Sequence, residues 1–171
     1  MIQLLLLPLL IAGLDLGGSV GGVFPSTGLV PGHSSGAALG AAVGWSAGAS
    51  RVELSYAYAG LTGPQASAYR LDVSEIALRY AFEFVRRPDW GIDVAAGPGL
   101  GFLRRSLYAA REDGKSPAAH LGINFLQHQG KSRVFAGLDN TVFFGMRREA
   151  NSTRLAPAWL ITLKAGVSYV F

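Results

Sequence analysis

The chain has 171 residues, of which half are hydrophobic and only 15% are charged. The charged share is well below the roughly 25% of an ordinary soluble domain. Cysteine is absent, which excludes disulfides and cysteine-ligated metal sites. The net charge is +4 and the 15 basic residues are scattered along the chain. This pattern argues against a nucleic-acid-binding function.

The first segment, residues 1–13, reads MIQLLLLPLLIAG and is almost entirely apolar. Its apolar run from Leu4 to Leu14 is too short for a membrane-spanning helix, which needs about 20 residues. We therefore interpret residues 1–13 as a secretory signal, although no Lys or Arg precedes the run and the cleavage site near Ala12 is poor. A buried strand or a short helix is the alternative. Residues 14–171 are expected to form one domain.

Eight later segments alternate large apolar residues with small or polar ones, which is the pattern of strands with one apolar face. The last segment, residues 157–171, shows it most clearly. Trp159, Leu163 and Tyr169 share one face, and Lys164 lies on the other. The segments predict an all-β fold.

The separators between the segments alternate in length, as they do in an up-and-down barrel with loops at one end and turns at the other. The long separators are residues 24–36, 61–69, 104–117 and 147–156, and the short ones are residues 48–51, 85–89 and 127–132. The expected fold is therefore a transmembrane up-and-down antiparallel β-barrel of eight strands.

The chemistry of the two strand faces favours a membrane barrel over a soluble one. A soluble barrel turns its apolar face inward, whereas here the apolar face is large and the opposite face mixes charges with Gly, Ala and Ser, which suits a narrow interior. Eight strands leave room for side chains rather than a wide pore. We expect a filled, polar interior with a charge network formed by Glu53, Glu75, Arg79, Glu83, Asp93, Arg133, Asp139 and Lys164.

The aromatic residues fall near the two ends of the expected barrel. Such bands match the girdles of outer-membrane barrels, whereas simple β-propensity would enrich aromatics without sorting them. The expected short-turn girdle contains Trp45, Phe82, Phe84, Trp90, Tyr169 and Phe171, and the expected long-loop girdle contains Phe102 and Trp159.

The eight-segment pattern and the ending Tyr169-Val170-Phe171 resemble the small OmpA/OmpX-type outer-membrane barrels over about residues 14–171. The resemblance implies a location in the bacterial outer membrane and contact with its lipids and lipopolysaccharide. It also implies that the outer-membrane assembly machinery recognises the C-terminal strand. We expect a monomer without a cofactor or metal, and a structural or surface-interaction role of the adhesion type.

The alternative function is a lipid A-modifying enzyme, either a deacylase or an acyltransferase. Lipid A deacylases of this size carry a lipid-facing His and a Ser two residues apart in a strand. The histidines are His33, His120 and His128. At that spacing from His120 the chain has Ala118 and Gly122, which do not match. The histidines are instead expected to be polar residues of a loop and of the interior.

Four arginines flank the expected long-loop ends of the fifth and seventh strands, namely Arg104, Arg105, Arg147 and Arg148. Guanidinium groups bind phosphate in a bidentate manner, so these residues are candidates for contact with lipopolysaccharide phosphates. The alternative is that they only solvate the rim of the barrel.

Overall fold

The computed structural model describes residues 13–25, 35–63, 69–107, 110–148 and 155–171. Each strand pairs antiparallel with the next, and β8 pairs with β1, so the sheet closes on itself. The predicted eight-stranded antiparallel barrel is confirmed. The strands are β1 (Gly13–Pro25), β2 (Gly36–Ala47), β3 (Ser50–Thr62), β4 (Tyr69–Arg86), β5 (Trp90–Leu107), β6 (Ala110–Gln129), β7 (Ser132–Arg148) and β8 (Leu155–Val170).

The alternation of the sequence sets which side chains face outward. Leu54, Leu78, Leu121 and Leu163 are each about half exposed on the outer surface. Closure pairs the backbone groups of every strand on both sides, so this apolar exterior can lie in hydrocarbon without an unpaired edge. No helix in the described part of the chain is long and apolar enough to cross a membrane.

Two-residue turns join β2 to β3 and β6 to β7 at the short-turn end. Gly48 follows β2 and Gly130 follows β6, with φ angles of 60° and 63°. Glycine adopts this left-handed conformation without a steric penalty. The turns therefore fix the register of the two hairpins, in which Ala47 pairs with Ser50 and Gln129 with Ser132.

The third predicted long loop, residues 104–117, is wrong. β5 continues to Leu107 and β6 begins at Ala110, with Arg104 paired to Asp113 in the ladder. The sequence pattern stops at the level where lipid no longer contacts the strands, and backbone hydrogen bonds continue beyond it because they need no apolar side chains. This hairpin therefore extends past the apolar belt.

The predicted signal segment, residues 1–13, overlaps the barrel by one residue because β1 begins at Gly13. The rest of that segment lies outside the described residues.

The interior at the long-loop end is apolar, so the prediction of a polar interior is wrong there. The inward positions continue the strand alternation but carry Leu, Val, Ala and Phe, next to positions that sequence analysis assigned to loops. Every strand except β5 contributes to this cluster, which we call the apolar layer. It consists of Val23, Ala38, Ala59, Leu61, Leu71, Val73, Ala118, Phe143, Ala158 and Leu160, with Leu103 packed against it.

Candidate functional site: the barrel interior

A cluster of ion pairs fills the interior near the short-turn end. The Arg51 guanidinium lies 2.8 Å from Glu53 and 3.2 Å from Asp93. Arg133 donates a 3.0 Å hydrogen bond to Asp15, whose carboxylate also lies 3.8 Å from Arg51. Buried charges are costly unless they are paired, and this arrangement pairs each of them across strands.

A second cluster lies at mid-height. Arg79 contacts Glu53 at 2.5 Å and Asp139 at 3.6 Å. Lys164 lies 2.6 Å from the same Asp139 carboxylate, and both side chains are 9% exposed. Arg79 and Glu53 therefore link the mid-height cluster to the cluster below it, which makes the two clusters one continuous network.

His120 lies in this network next to a hydroxyl group. Its Nδ1 is 3.3 Å from Thr141 Oγ1, and its Nε2 is 3.5 Å from Asp139. Thr141 also donates a 3.2 Å hydrogen bond to Glu75. A hydroxyl, an imidazole and a carboxylate are the groups of a nucleophilic site. These three groups lie in the interior of the barrel, however, so an acyl chain on the outer surface cannot reach them.

All eight residues of the expected charge network have inward-facing side chains. In addition to the contacts above, Glu83 lies 2.8 Å from His128, and Asp93 accepts a 2.6 Å hydrogen bond from Asn124. The eight are Glu53, Glu75, Arg79, Glu83, Asp93, Arg133, Asp139 and Lys164.

The network has members that sequence analysis did not assign to it. Asp15 stands in a glycine-rich segment, and Arg51 stands in the short separator predicted at residues 48–51. Their alternation with Leu14, Leu16 and Val52 was the signal that could have placed both of them inside.

Glycines on other strands make room for several of the large inward side chains. A Cβ atom built at Gly122 would overlap the Asp139 carboxylate, and one built at Gly101 would overlap the Phe143 ring. The same holds for Gly91 beside Glu83. The high glycine content therefore has a packing role, because these three bulky inward groups lie over residues without a side chain.

A cavity of about 100 Å³ lies within the barrel. One side is lined by small residues of β1–β3, including Gly17, Ser19 and Gly40, and the opposite side by Glu75 and Asp139. Glu75 Oε1 and Asp139 Oδ1 are buried without a protein hydrogen-bond partner. A cavity of this size accommodates several water molecules, which can hydrogen-bond with such oxygens.

The expected girdle residues lie on the outer surface. Trp90 stacks on Phe125 with a centroid distance of 5.8 Å, and Tyr169 meets Phe171 edge-on at 4.8 Å. Phe102 is half-buried. The exposed members are Trp45, Phe82, Phe84, Trp90, Trp159, Tyr169 and Phe171.

The outer surface at the long-loop end carries paired charges. Arg104 lies 3.2 Å from Asp113, and Arg70 lies 2.8 Å from Asp72. The Lys115 ammonium lies 5.8 Å from the centre of the Phe102 ring. The side chains of the other three expected rim arginines, Arg105, Arg147 and Arg148, lie outside the described part of the structure.

Within the described ranges, no group of three His, Cys, Asp or Glu side chains has a metal-binding arrangement. His33 lies outside those ranges.

No family model matches the chain, and no curated protein matches it in sequence. Several solved structures are similar in fold. Neisserial surface protein A is 14% identical with a TM-score of 0.74, covering 93% of this chain and 97% of that one. The N-terminal β-barrel domain of Pseudomonas aeruginosa OprF is 13% identical with a TM-score of 0.59, covering 92% and 99%.

The attachment invasion locus protein Ail of Yersinia pestis is 12% identical with a TM-score of 0.58, covering 94% of this chain and 97% of that one. These identities are low, so the similarity concerns the fold. The chain has the fold of the small eight-stranded outer-membrane β-barrels.

Proposed function

We propose that this protein is an integral component of the bacterial outer membrane with a structural or surface-interaction role of the adhesion type. The observation that carries the proposal is the combination of an apolar exterior with an interior occupied by paired charges and the apolar layer. Such a barrel holds its loops at a membrane surface without providing a wide passage.

Solute flux tests the absence of a wide pore. Purified protein reconstituted into liposomes should not increase their swelling in isotonic arabinose, and a general porin serves as the positive control. Swelling at a rate comparable to that of the porin would contradict the proposal. Display of the loops is tested separately with an epitope tag inserted within residues 26–34, which should bind its antibody on intact cells.

The adhesion role needs a probe of defined chemistry. Ail has been solved in complex with sucrose octasulfate, a heparin analogue. We therefore propose sucrose octasulfate as a probe for this barrel, since its long-loop end carries Arg70, Arg104 and Lys115. Calorimetric titration should show binding that weakens as salt rises. A complete lack of binding at low salt would remove the support for polyanion recognition.

Lipopolysaccharide is the proposed partner at the long-loop rim. Arg104 is exposed and already lies beside Asp113, so a phosphate would compete with a carboxylate for its guanidinium. Replacing Arg104, Arg105, Arg147 and Arg148 with Gln should weaken lipopolysaccharide binding in a salt-dependent way while the barrel still folds. Unchanged binding would assign these arginines to rim solvation alone.

The outer-membrane assembly machinery is the proposed partner of β8 before folding. In the folded barrel, Phe171 donates a 2.9 Å backbone hydrogen bond to Leu14, so this residue lies at the seam between β8 and β1. Phe171→Ala should lower the amount of folded protein in the outer membrane. Refolding of the same variant into detergent should remain efficient, and a matched loss in both assays would indicate a stability defect instead.

Lipid A modification remains the alternative function. His120 and His128 lie inside the barrel, so this activity would depend on groups other than those two. Incubation of the protein with lipid A, followed by mass spectrometry, decides between the functions, because a mass change of one acyl chain would establish the enzyme.

A further inference from the structure

The interior has three levels along the barrel axis. Asp15, Arg51 and Arg133 form a charged level near the short turns. The cavity of about 100 Å³ lies above it and is lined by polar and small residues, and Val73 and Phe143 of the apolar layer also line it. The apolar layer occupies the long-loop end, where Leu61 and Phe143 are almost completely buried.

These levels differ in how readily an ion can pass through them. The charged level and the cavity offer carboxylates, guanidinium groups and hydroxyls, which can replace part of the hydration shell of an ion. The residues of the apolar layer offer no such groups, and the buried Ser116 hydroxyl at this end already donates to the Phe144 carbonyl. A charge that enters the layer therefore loses its hydration without compensation. Apolar constrictions of this kind block ions by excluding water.

We propose that the apolar layer, rather than the charge network, is the barrier that stops ions from crossing the barrel. This inference rests on the proposed function as a closed membrane barrel and identifies the residues that close it. The interior below the layer is hydrated, and a polar path through the layer converts the protein into a narrow ion channel.

The charges of the inward-facing side chains determine which ions that channel favours. Among the inward-facing residues in the described part of the chain, carboxylates outnumber the Arg and Lys side chains by six to four. The carboxylates are Asp15, Glu53, Glu75, Glu83, Asp93 and Asp139, and the cations are Arg51, Arg79, Arg133 and Lys164. The opened interior should therefore favour K⁺ over Cl⁻.

Two matched variants distinguish a layer that stops ions by excluding water from a layer that stops them only by filling the barrel. Phe143→Ala removes the largest side chain of the layer but adds no polar group, so an ion that enters the layer would still lose its hydration without compensation. Phe143→Ser/Val73→Thr removes the same volume and adds two hydroxyls, since Thr has nearly the shape of Val. Val167→Thr places the same change on the outer surface, where Val167 is exposed, and serves as the control.

Planar bilayer recordings in KCl measure the outcome. We expect no current steps from the wild type, Phe143→Ala or Val167→Thr, and discrete K⁺-selective steps from Phe143→Ser/Val73→Thr. A folded double variant without current would overturn the proposal. Equal currents from Phe143→Ala would show that the layer blocks by volume alone, and Cl⁻ selectivity would contradict passage through the network. Current from the wild type would instead contradict the proposed function.

Folding of each variant is checked by its shift in gel migration on boiling. If Phe143→Ser/Val73→Thr does not fold, Val23→Thr/Val73→Thr makes the layer more polar without removing volume. Liposomes with an entrapped pH-sensitive dye should then lose a proton gradient faster than liposomes with wild-type protein. An unchanged rate would count against the apolar layer as the barrier.

Discussion

At the scale of single residues, the position of a charge inside the barrel determines its energetic role. Lys164 and Asp139 are both almost fully buried and lie 2.6 Å apart, whereas Arg70 and Asp72 form a similar contact with the Arg70 side chain 58% exposed. Exposed pairs contribute about 0–1 kcal/mol, and breaking a buried pair costs about 3–5 kcal/mol. The interior pairs should therefore dominate the effect of charge substitutions on stability.

Lys164→Met is expected to destabilise the barrel by about 3–5 kcal/mol, because it leaves the Asp139 carboxylate without its nearest cation. Urea unfolding in lipid vesicles measures the loss. The double variant Lys164→Met/Asp139→Asn should recover part of the stability, since it also removes the unpaired charge. A double variant no more stable than Lys164→Met would contradict this account of the pair.

Leu163→Arg should lower stability by about 2–4 kcal/mol, because Leu163 faces outward midway between Trp159 and Tyr169 on β8, near the expected bilayer midplane. Thr162→Arg is the comparison, since the adjacent side chain faces the interior. Unfolding of the two variants in the same vesicles measures the difference. Equal effects on folding into lipid would argue against the assigned lipid face.

At the scale of strands, the packing of bulky inward groups against glycines on other strands provides a sharp test. Gly101→Val would force the Phe143 ring to move, and overpacking of this kind costs about 1–3 kcal/mol. Phe143→Leu in the same chain should relieve part of the cost. Gly114→Val is the control, since a Cβ there meets nothing within 4 Å. A similar loss for both single variants, measured by urea unfolding, would remove the packing argument.

The strands also show what sequence can and cannot reveal. Contact with lipid favours large apolar groups at every second position, so the outward orientation of side chains such as Leu78 and Leu163 could be predicted from the sequence. The length of the strands beyond the apolar belt could not be predicted from the sequence, as the extended pairing of Arg104 with Asp113 shows. The apolar layer was missed for a related reason, since its members lie where the sequence pattern turns into loops.

The whole molecule is held together by closure rather than by a single core. β8 pairs with both β7 and β1, so no strand edge is free among the pairings described. The sequence could predict this closure from the even number of segments with alternating loops. It could not predict the particular ion pairs, because they join residues as distant in sequence as Asp15 and Arg133.

Closure predicts cooperative unfolding with a large change in shape. The folded protein should therefore migrate differently from the boiled protein on a gel run with detergent, because the intact barrel binds less detergent than the extended chain. The measurement compares the two samples on one gel. Identical migration of both samples would argue against a closed barrel in detergent.

The outward placement of the aromatic residues has an optical consequence. All three tryptophans, Trp45, Trp90 and Trp159, are exposed on the outer surface. The first two lie at the short-turn end and Trp159 at the opposite end, so they mark the two leaflets of the bilayer. Lipids brominated in the acyl chains should quench all three, and variants that retain a single tryptophan would report how deeply each end of the barrel has inserted during folding.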